Sequence, residues 1–142
     1  MIVKELLESK GKEIISIEGD STVQAAIRIM TSRNVSAVII TRNALPVGIF
    51  TERDVLRSYI KGGPQFDAMP LEQAMTADLI VAEPNEDLCQ VMTVMIEKGI
   101  RHMPVADQGR VIGMLSIRDV VKTQVGSIQS EIHHLKDYVS GM

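Results

Sequence analysis

Two seven-residue segments carry a hydroxyl, an arginine and a carboxylate in the same order: Gly48-Ile49-Phe50-Thr51-Glu52-Arg53-Asp54 and Gly113-Met114-Leu115-Ser116-Ile117-Arg118-Asp119. Each stands where an apolar β-rich run gives way to a helical pattern. A hydroxyl followed three residues later by a carboxylate is a capping box, which satisfies free amides at a helix start. Taken singly, that accounts for either segment. It does not account for the arginine, or for the recurrence in register. An anion at a helix start gains from the free amides and the helix dipole, and a guanidinium adds a forked donor for phosphate. The carboxylate would repel phosphate, so it needs another partner. A vicinal ribose diol supplies two hydroxyl donors, and phosphate beside ribose means a nucleotide.

A second constellation is Arg101-His102, at the entry of another β-rich run. The plain reading is an exposed arginine and a histidine capping a strand edge. The sharper one is a second cationic contact to phosphate, next to which His102 would tend to stay protonated. The aligned pair in the first half of the chain is Ser36 and Ala37, which carry no charge. Two sites built this way are unequal, and the one with Arg101 suits anions better. The usual phosphate loops, G-x-x-x-x-G-K-[ST] and G-x-G-x-x-G, are absent. His133 and His134 are neighbours that do not share a helix face, which argues against a metal site. No Ser/His/Asp or Cys/His set can be assembled, and the expectation is a protein that is not an enzyme.

The elements that position these groups come as a duplicated unit. At a fixed offset of 65 residues, Ile14–Leu56 lies over Leu79–Val121 without a gap. Seven positions are identical, Met30/Met95, Gly48/Gly113 and Asp54/Asp119 among them, and most of the rest keep hydropathy. A repeat at fixed spacing is one supersecondary unit used twice. Each copy reads as strand (Ile14–Ile17 in the first), helix, strand, strand, helix. Asp20 and Asn85 are the expected caps of the first helices, because their side chains can accept from first-turn amides. Asn43-Ala44 and Gln108-Gly109 mark tight turns between β-rich runs. Lys61-Gly62-Gly63-Pro64 is the clear breaker, and Pro70 fits the first turn of a short helix through Met75. A similar leader, Val3–Leu7, precedes the first copy, but three extra residues put it out of register. The chain divides into a first repeat with its leader (1–60), a linker (61–70), a second repeat (71–122) and a C-terminal helix (123–142). On that last helix Val125, Ile128, Ile132, Leu135 and Val139 are spaced 3, 4, 3, 4, a short heptad-like stripe that packs on the body or, preferably, on a partner subunit.

Composition sets the bounds. A length of 142 residues suits one domain or two small repeats sharing a core. Two Phe, two Tyr and no Trp make the core aliphatic, with Met30, Met92 and Met95 expected to fill gaps on buried helix faces. A net charge of −3 argues against nucleic acid as a partner. No apolar run reaches about 18 residues and no signal-peptide pattern is present, so a soluble, non-exported, cytoplasmic protein without a membrane contact is expected. The single cysteine, Cys89, excludes an internal disulfide and is expected to pack inside an amphipathic helix.

The chain resembles the tandem CBS-domain family over roughly residues 3–122. The resemblance rests on Gly-h-h-Thr/Ser-x-x-Asp in both copies, on Arg53 and Arg118, on Gly99-Ile100-Arg101-His102-Met103-Pro104-Val105, and on the order of elements. It implies an α/β (α+β) fold in which two pseudo-symmetric β-α-β-β-α repeats pack sheet to sheet as a CBS pair, followed here by a C-terminal helix. It also implies two clefts for adenine nucleotides and a flat, disc-like homodimer. The sites would be crossed: Thr51, Arg53 and Asp54 with Thr76, Ile80, Arg101 and His102 in one cleft, and Ser116, Arg118 and Asp119 with Ile15 and Ser36 in the other. The aspartates would hold ribose, the hydroxyls, arginines and His102 would face phosphate, and Ile15 and Ile80 would lie against adenine. The expected function is a regulatory module sensing AMP or a related adenosine nucleotide, with no cofactor and an unidentified target protein. The alternative is a dimerisation or docking module without a nucleotide.

Overall fold

The computed structural model describes residues 1–11 and 14–141. Eleven α-helices and strands follow in the order α1 (Val3–Lys10), β1 (Ser16–Glu18), α2 (Val23–Arg33), β2 (Ala37–Arg42), β3 (Leu45–Thr51), α3 (Glu52–Gly62), α4 (Leu71–Ala74), α5 (Leu88–Lys98), β4 (His102–Asp107), β5 (Arg110–Ser116) and α6 (Ile117–Ser140), with a 3-10 segment, Gly63–Ala68, after α3. The first sheet has the order β1-β2-β3, with β1 parallel and β3 antiparallel to β2; the second is the β4-β5 hairpin. The duplication is visible in small irregularities. Both hairpins turn on two residues with positive φ, Asn43-Ala44 and Gln108-Gly109, as a turn matching the strand twist requires. A register shift falls between Ile40 and Thr41 and again between Val105 and Ala106. Both first helices end on a left-handed residue, Asn34 and Gly99.

Four expectations are corrected. The first helices are capped two residues later than Asp20 and Asn85: Thr22 Oγ1 accepts from Ala25 N at 3.2 Å, and Asp87 Oδ2 from Gln90 N at 3.1 Å. Asp20 and Asn85 belong instead to the turns closed by Ser21 N to Glu18 O and Glu86 N to Glu83 O. The first strand of repeat 1 also lies later than Ile14–Ile17, because it is Ser16–Glu18 that pairs with Ile39–Thr41. In repeat 2 that strand shrinks to a parallel bridge, Ala82 to Val105. Cys89 is exposed, one position off the buried stripe of Leu88, Val91 and Met95. Finally, α6 runs unbroken through the boundary expected at 122/123, so the C-terminal helix extends the helix of the second motif; Met142 lies outside the described residues.

Two apolar cores form, one per repeat, and each contains the other repeat's leader. Val3, Leu6 and Leu7 of α1 are buried with Leu88, Val91, Met95, Met103 and Leu115 of repeat 2. Leu71 of α4 is buried with Val23, Met30, Val38 and Phe50 of repeat 1, and Met75 packs against the same cluster. The backbone contacts match: Val3 N donates to Glu86 O and Lys4 N to Pro84 O, as Leu71 N donates to Ser21 O and Glu72 N to Gly19 O. The bridges Ile2–Asp87 and Pro70–Thr22 are equivalent, so the leaders superpose at an offset of 68 residues rather than 65. Met30 and Met95 are buried and Met92 is half-buried, as expected of gap fillers.

Candidate functional site

Helices α3 and α6 start at the motif hydroxyls, Thr51 and Ser116. Each copy leans on one half of the capping box. In the first, Asp54 Oδ2 accepts from Thr51 N at 2.9 Å and from Thr51 Oγ1 at 3.2 Å. In the second, Ser116 Oγ accepts from Asp119 N at 3.1 Å. The carboxylates then part company. Asp54 is buried, and its Oδ1 accepts from Thr76 Oγ1 at 3.0 Å, with Arg57 at 3.7 Å. Asp119 is half-buried and pairs with Lys10 Nζ at 2.8 Å. That Lys10 contact is the main reason its carboxyl is held below the usual aspartate value; partial burial opposes it, and Ser116 and Lys122 assist.

Gly48 and Gly113 precede the motifs because the chain passes close to them, but the group that approaches is a leader. A Cβ at Gly48 would fall 2.5 Å from Met75 Sδ and 2.9 Å from Thr76 O, and one at Gly113 2.6 Å from Leu7 Cδ2. Ile49 and Thr76 exchange two backbone hydrogen bonds, each of 2.9 Å. The leader of the second repeat is thereby fixed beside the motif of the first.

One cleft, of about 300 Å³, brings Thr51 and Arg53 together with Thr76, Arg101 and His102. Ser36, Glu52, Arg57 and Lys98 also line it, so four cations face one exposed carboxylate. Asp54 lies beneath Thr51 and is not part of the lining; Ile80 packs against the core of repeat 2. A second cleft of about 300 Å³ joins Ser116 and Asp119 to Ile15 and Ser36, with Lys10, Ala37, Met114 and His102 around them. Arg118 is exposed and outside that lining. Sequence reasoning missed Arg57, Lys98 and Lys10. Arg57 is one turn beyond Arg53, a readable signal, whereas Lys10 enters from a leader whose partner repeat was not apparent.

Ser36 Oγ and His102 Nε2 are 2.8 Å apart and both line both clefts, so this pair is their common wall. Burial, more than any charge, holds the His102 pKa below the ordinary histidine value; Glu52 opposes, and Lys10 and Arg101 add to the depression. The protein's own groups thus disfavour the imidazolium, and the protonation expected beside a phosphate would have to come from the charge of that ligand. A larger cavity, of about 820 Å³, lies elsewhere, between Lys4, Leu7, Glu83, Asp107 and their neighbours. Its two carboxylates against one lysine make it a poor phosphate site. No helix among the described residues is long and apolar enough to cross a membrane.

Two α/β repeats with crossed leaders, and a cleft at the start of each second helix, define a tandem-repeat module. The chain belongs to the CBS-domain family, whose model matches residues 3–61 and 71–126. It is 34% identical to a CBS domain-containing protein, CBSX3, of Arabidopsis thaliana, described as mitochondrial, covering 98% of this chain and 72% of the relative. The fold matches that of a CBS-domain containing protein of Agrobacterium tumefaciens, with a TM-score of 0.84, 31% identity and coverage of 87% of this chain and 99% of the other. It also matches the CBS domain pair of protein MJ0100, solved in complex with 5′-methylthioadenosine and S-adenosyl-L-methionine, with a TM-score of 0.78, 24% identity and coverage of 89% and 98%.

Proposed function

We propose that this chain is a regulatory module that binds AMP or a related adenosine nucleotide between its repeats and performs no chemistry on it. The observation that carries this reading is the first cleft: a helix start with Thr51 and Arg53 from one repeat faces Thr76, Arg101 and His102 from the other half. Two guanidiniums and a histidine suit a phosphate, although Thr51 N and Glu52 N at the helix start already donate to Asp54 Oδ2 and Ser36 O. Ile80 and Ile15 remain the apolar candidates for adenine, and Ser116, Arg118, Asp119 and Ser36 the counterparts in the second cleft. Asp54 enters differently. With its oxygens already taken by Thr51 and Thr76, it meets a ribose only if Thr76 Oγ1 gives way. The complex of the MJ0100 pair with adenosine derivatives supports the ligand class. A second copy of the chain is the proposed partner, through α6, with a target protein downstream. The exposed, unpaired Cys89 suits a reducing compartment such as the cytosol.

The test is a titration with AMP, ADP, ATP, NAD, S-adenosylmethionine and cyclic dinucleotides, followed by calorimetry. Arg53 and Arg101 are exposed, so replacing them should leave the fold intact. A charge-assisted hydrogen bond contributes about 1.5–3 kcal/mol, so Arg53→Ala and Arg101→Ala should each weaken AMP binding about tenfold or more. Equal affinity in both variants contradicts the roles given to them.

A further inference from the structure

Lys10 is the last residue of α1, and Leu7, one turn earlier, anchors that helix over Gly113. From there the Lys10 ammonium reaches two acceptors: Asp119 Oδ2 at 2.8 Å and Met114 O at 2.8 Å. An ammonium has three donors, and the side chain lines the second cleft, so with two partners among the described residues a third donor can serve a ligand. The equivalent position in the other leader, at the offset of 68, is Asp78, and there the motif aspartate takes a neutral hydroxyl, that of Thr76. The two clefts therefore draw their cations from different elements. The first has Arg53, Arg57, Lys98 and Arg101; the second has Ser36 and Ala37 where Arg101 and His102 would align, and Arg118 does not line it.

Resting on the nucleotide reading above, we propose that Lys10 is the phosphate contact of the second cleft, parked on Asp119 while the cleft is empty. A nucleoside monophosphate would offer its ribose diol to Asp119 and its phosphate to the released ammonium. Asp119 would exchange an ion pair for two hydrogen bonds from neutral hydroxyls, and the nearby ammonium would offset its repulsion of the phosphate. The cleft that looks anion-poor in the sequence is thus completed by the N-terminal helix.

The experiment is calorimetric titration with AMP and with adenosine, which shares the diol and lacks the phosphate. Arg53→Ala with Arg101→Ala silences the first cleft, and Lys10→Met or Lys10→Arg is added to that background. The background should bind one equivalent of AMP. Loss of a charge-assisted contact means that Lys10→Met should then weaken AMP about tenfold or more, leave adenosine affinity unchanged or raised because Asp119 is already free for the diol, and be rescued for AMP by Lys10→Arg. Parallel loss of AMP and adenosine would make Lys10 a strut between α1 and α6, and a gain for both would make it a plug; either overturns the proposal. A background that binds no AMP, beside a wild-type chain that binds one equivalent, overturns the second-cleft inference alone. Wild-type protein that binds neither compound overturns the nucleotide reading with it.

Discussion

His102 stands in the wall shared by both clefts, beside Ser36, where its protonation would bear on either. Its folded pKa lies below that of the unfolded chain because burial disfavours the imidazolium. The folded state then binds fewer protons than the unfolded one, and stability rises with pH in the interval between the two pKa values. The contribution is present above about pH 6.5 and is lost as pH falls through the folded value. Thermal melts below pH 6.5 should therefore decline more steeply for the wild type than for His102→Gln; parallel declines would mean that the ring is not the group responsible. Phosphate in the cleft would reverse the bias, so AMP binding should take up protons, measurable as a heat that varies with buffer. Asp54 is the structural counterpart of this residue. Asp54→Ala leaves the Thr51 amide and the Thr76 hydroxyl without their acceptor. Both donors are half-buried at the cleft, where water can partly replace the carboxylate, so the loss should be that of net hydrogen bonds, about 1 kcal/mol, read by denaturant unfolding even with no nucleotide present. A stability equal to wild type would mean that Asp54 is reserved for ligand after all.

At the scale of elements, the glycines before the two motifs tell how the site is assembled. At Gly48 a Cβ meets the Thr76 carbonyl, a backbone atom held in a two-bond bridge; at Gly113 it meets only the flexible end of Leu7. Overpacking costs about 1–3 kcal/mol when neighbours cannot yield, so Gly48→Ala should destabilise the fold clearly more than Gly113→Ala in the same unfolding assay. Equal losses would mean that the leaders are not held as tightly as those bridges imply. Much of this level was legible in the chain. The 65-residue offset located the hairpin turns Asn43-Ala44 and Gln108-Gly109 and both helix starts, because turn and cap chemistry is local. The caps Thr22 and Asp87 were misplaced by two residues, since Asp20 and Asn85 are equally good acceptors and only the turn before the helix chooses between them. Cys89 was misread for a related reason: next to Leu88 in sequence is a different face of the helix. The exchange of leaders was not legible at all. Val3, Leu6 and Leu7 are apolar whichever core they enter, and local pattern does not say which repeat receives them.

For the whole molecule, each repeat completes its core with a helix from the other half, so the two should unfold together and a ligand bound in either cleft should stabilise both. At about 100 times its dissociation constant, a nucleotide should add roughly 2.7 kcal/mol to stability. If a nucleotide binds as proposed, the surface available to pass that change to a partner is the exposed apolar stripe of α6. Val125, Ile128, Ile132, Leu135 and Val139 of α6 are exposed, so the stripe does not pack on the body of its own chain. With Val125, Ile132 and Val139 at one heptad position and Ile128 and Leu135 at the other, β-branched residues occupy the place that favours a parallel two-stranded pairing. Glu131 and Lys136 then flank the seam five residues apart, the spacing at which opposite charges meet across parallel helices. Two heptads are too short to pair alone, so the contact needs further apolar surface, and Leu56 and Ile60 of α3 are exposed at positions that repeat as Val121 and Val125 of α6. Sedimentation should find a dimer for the wild type and a monomer for Ile132→Lys with Leu135→Lys. Glu131→Lys should weaken the dimer, and adding Lys136→Glu should restore it if the helices run parallel. AMP affinity should persist in the monomeric variant, because the clefts lie within one chain. A wild-type monomer would remove α6 as a self-association surface, while loss of nucleotide binding on monomerisation would mean that the clefts are completed by the second copy.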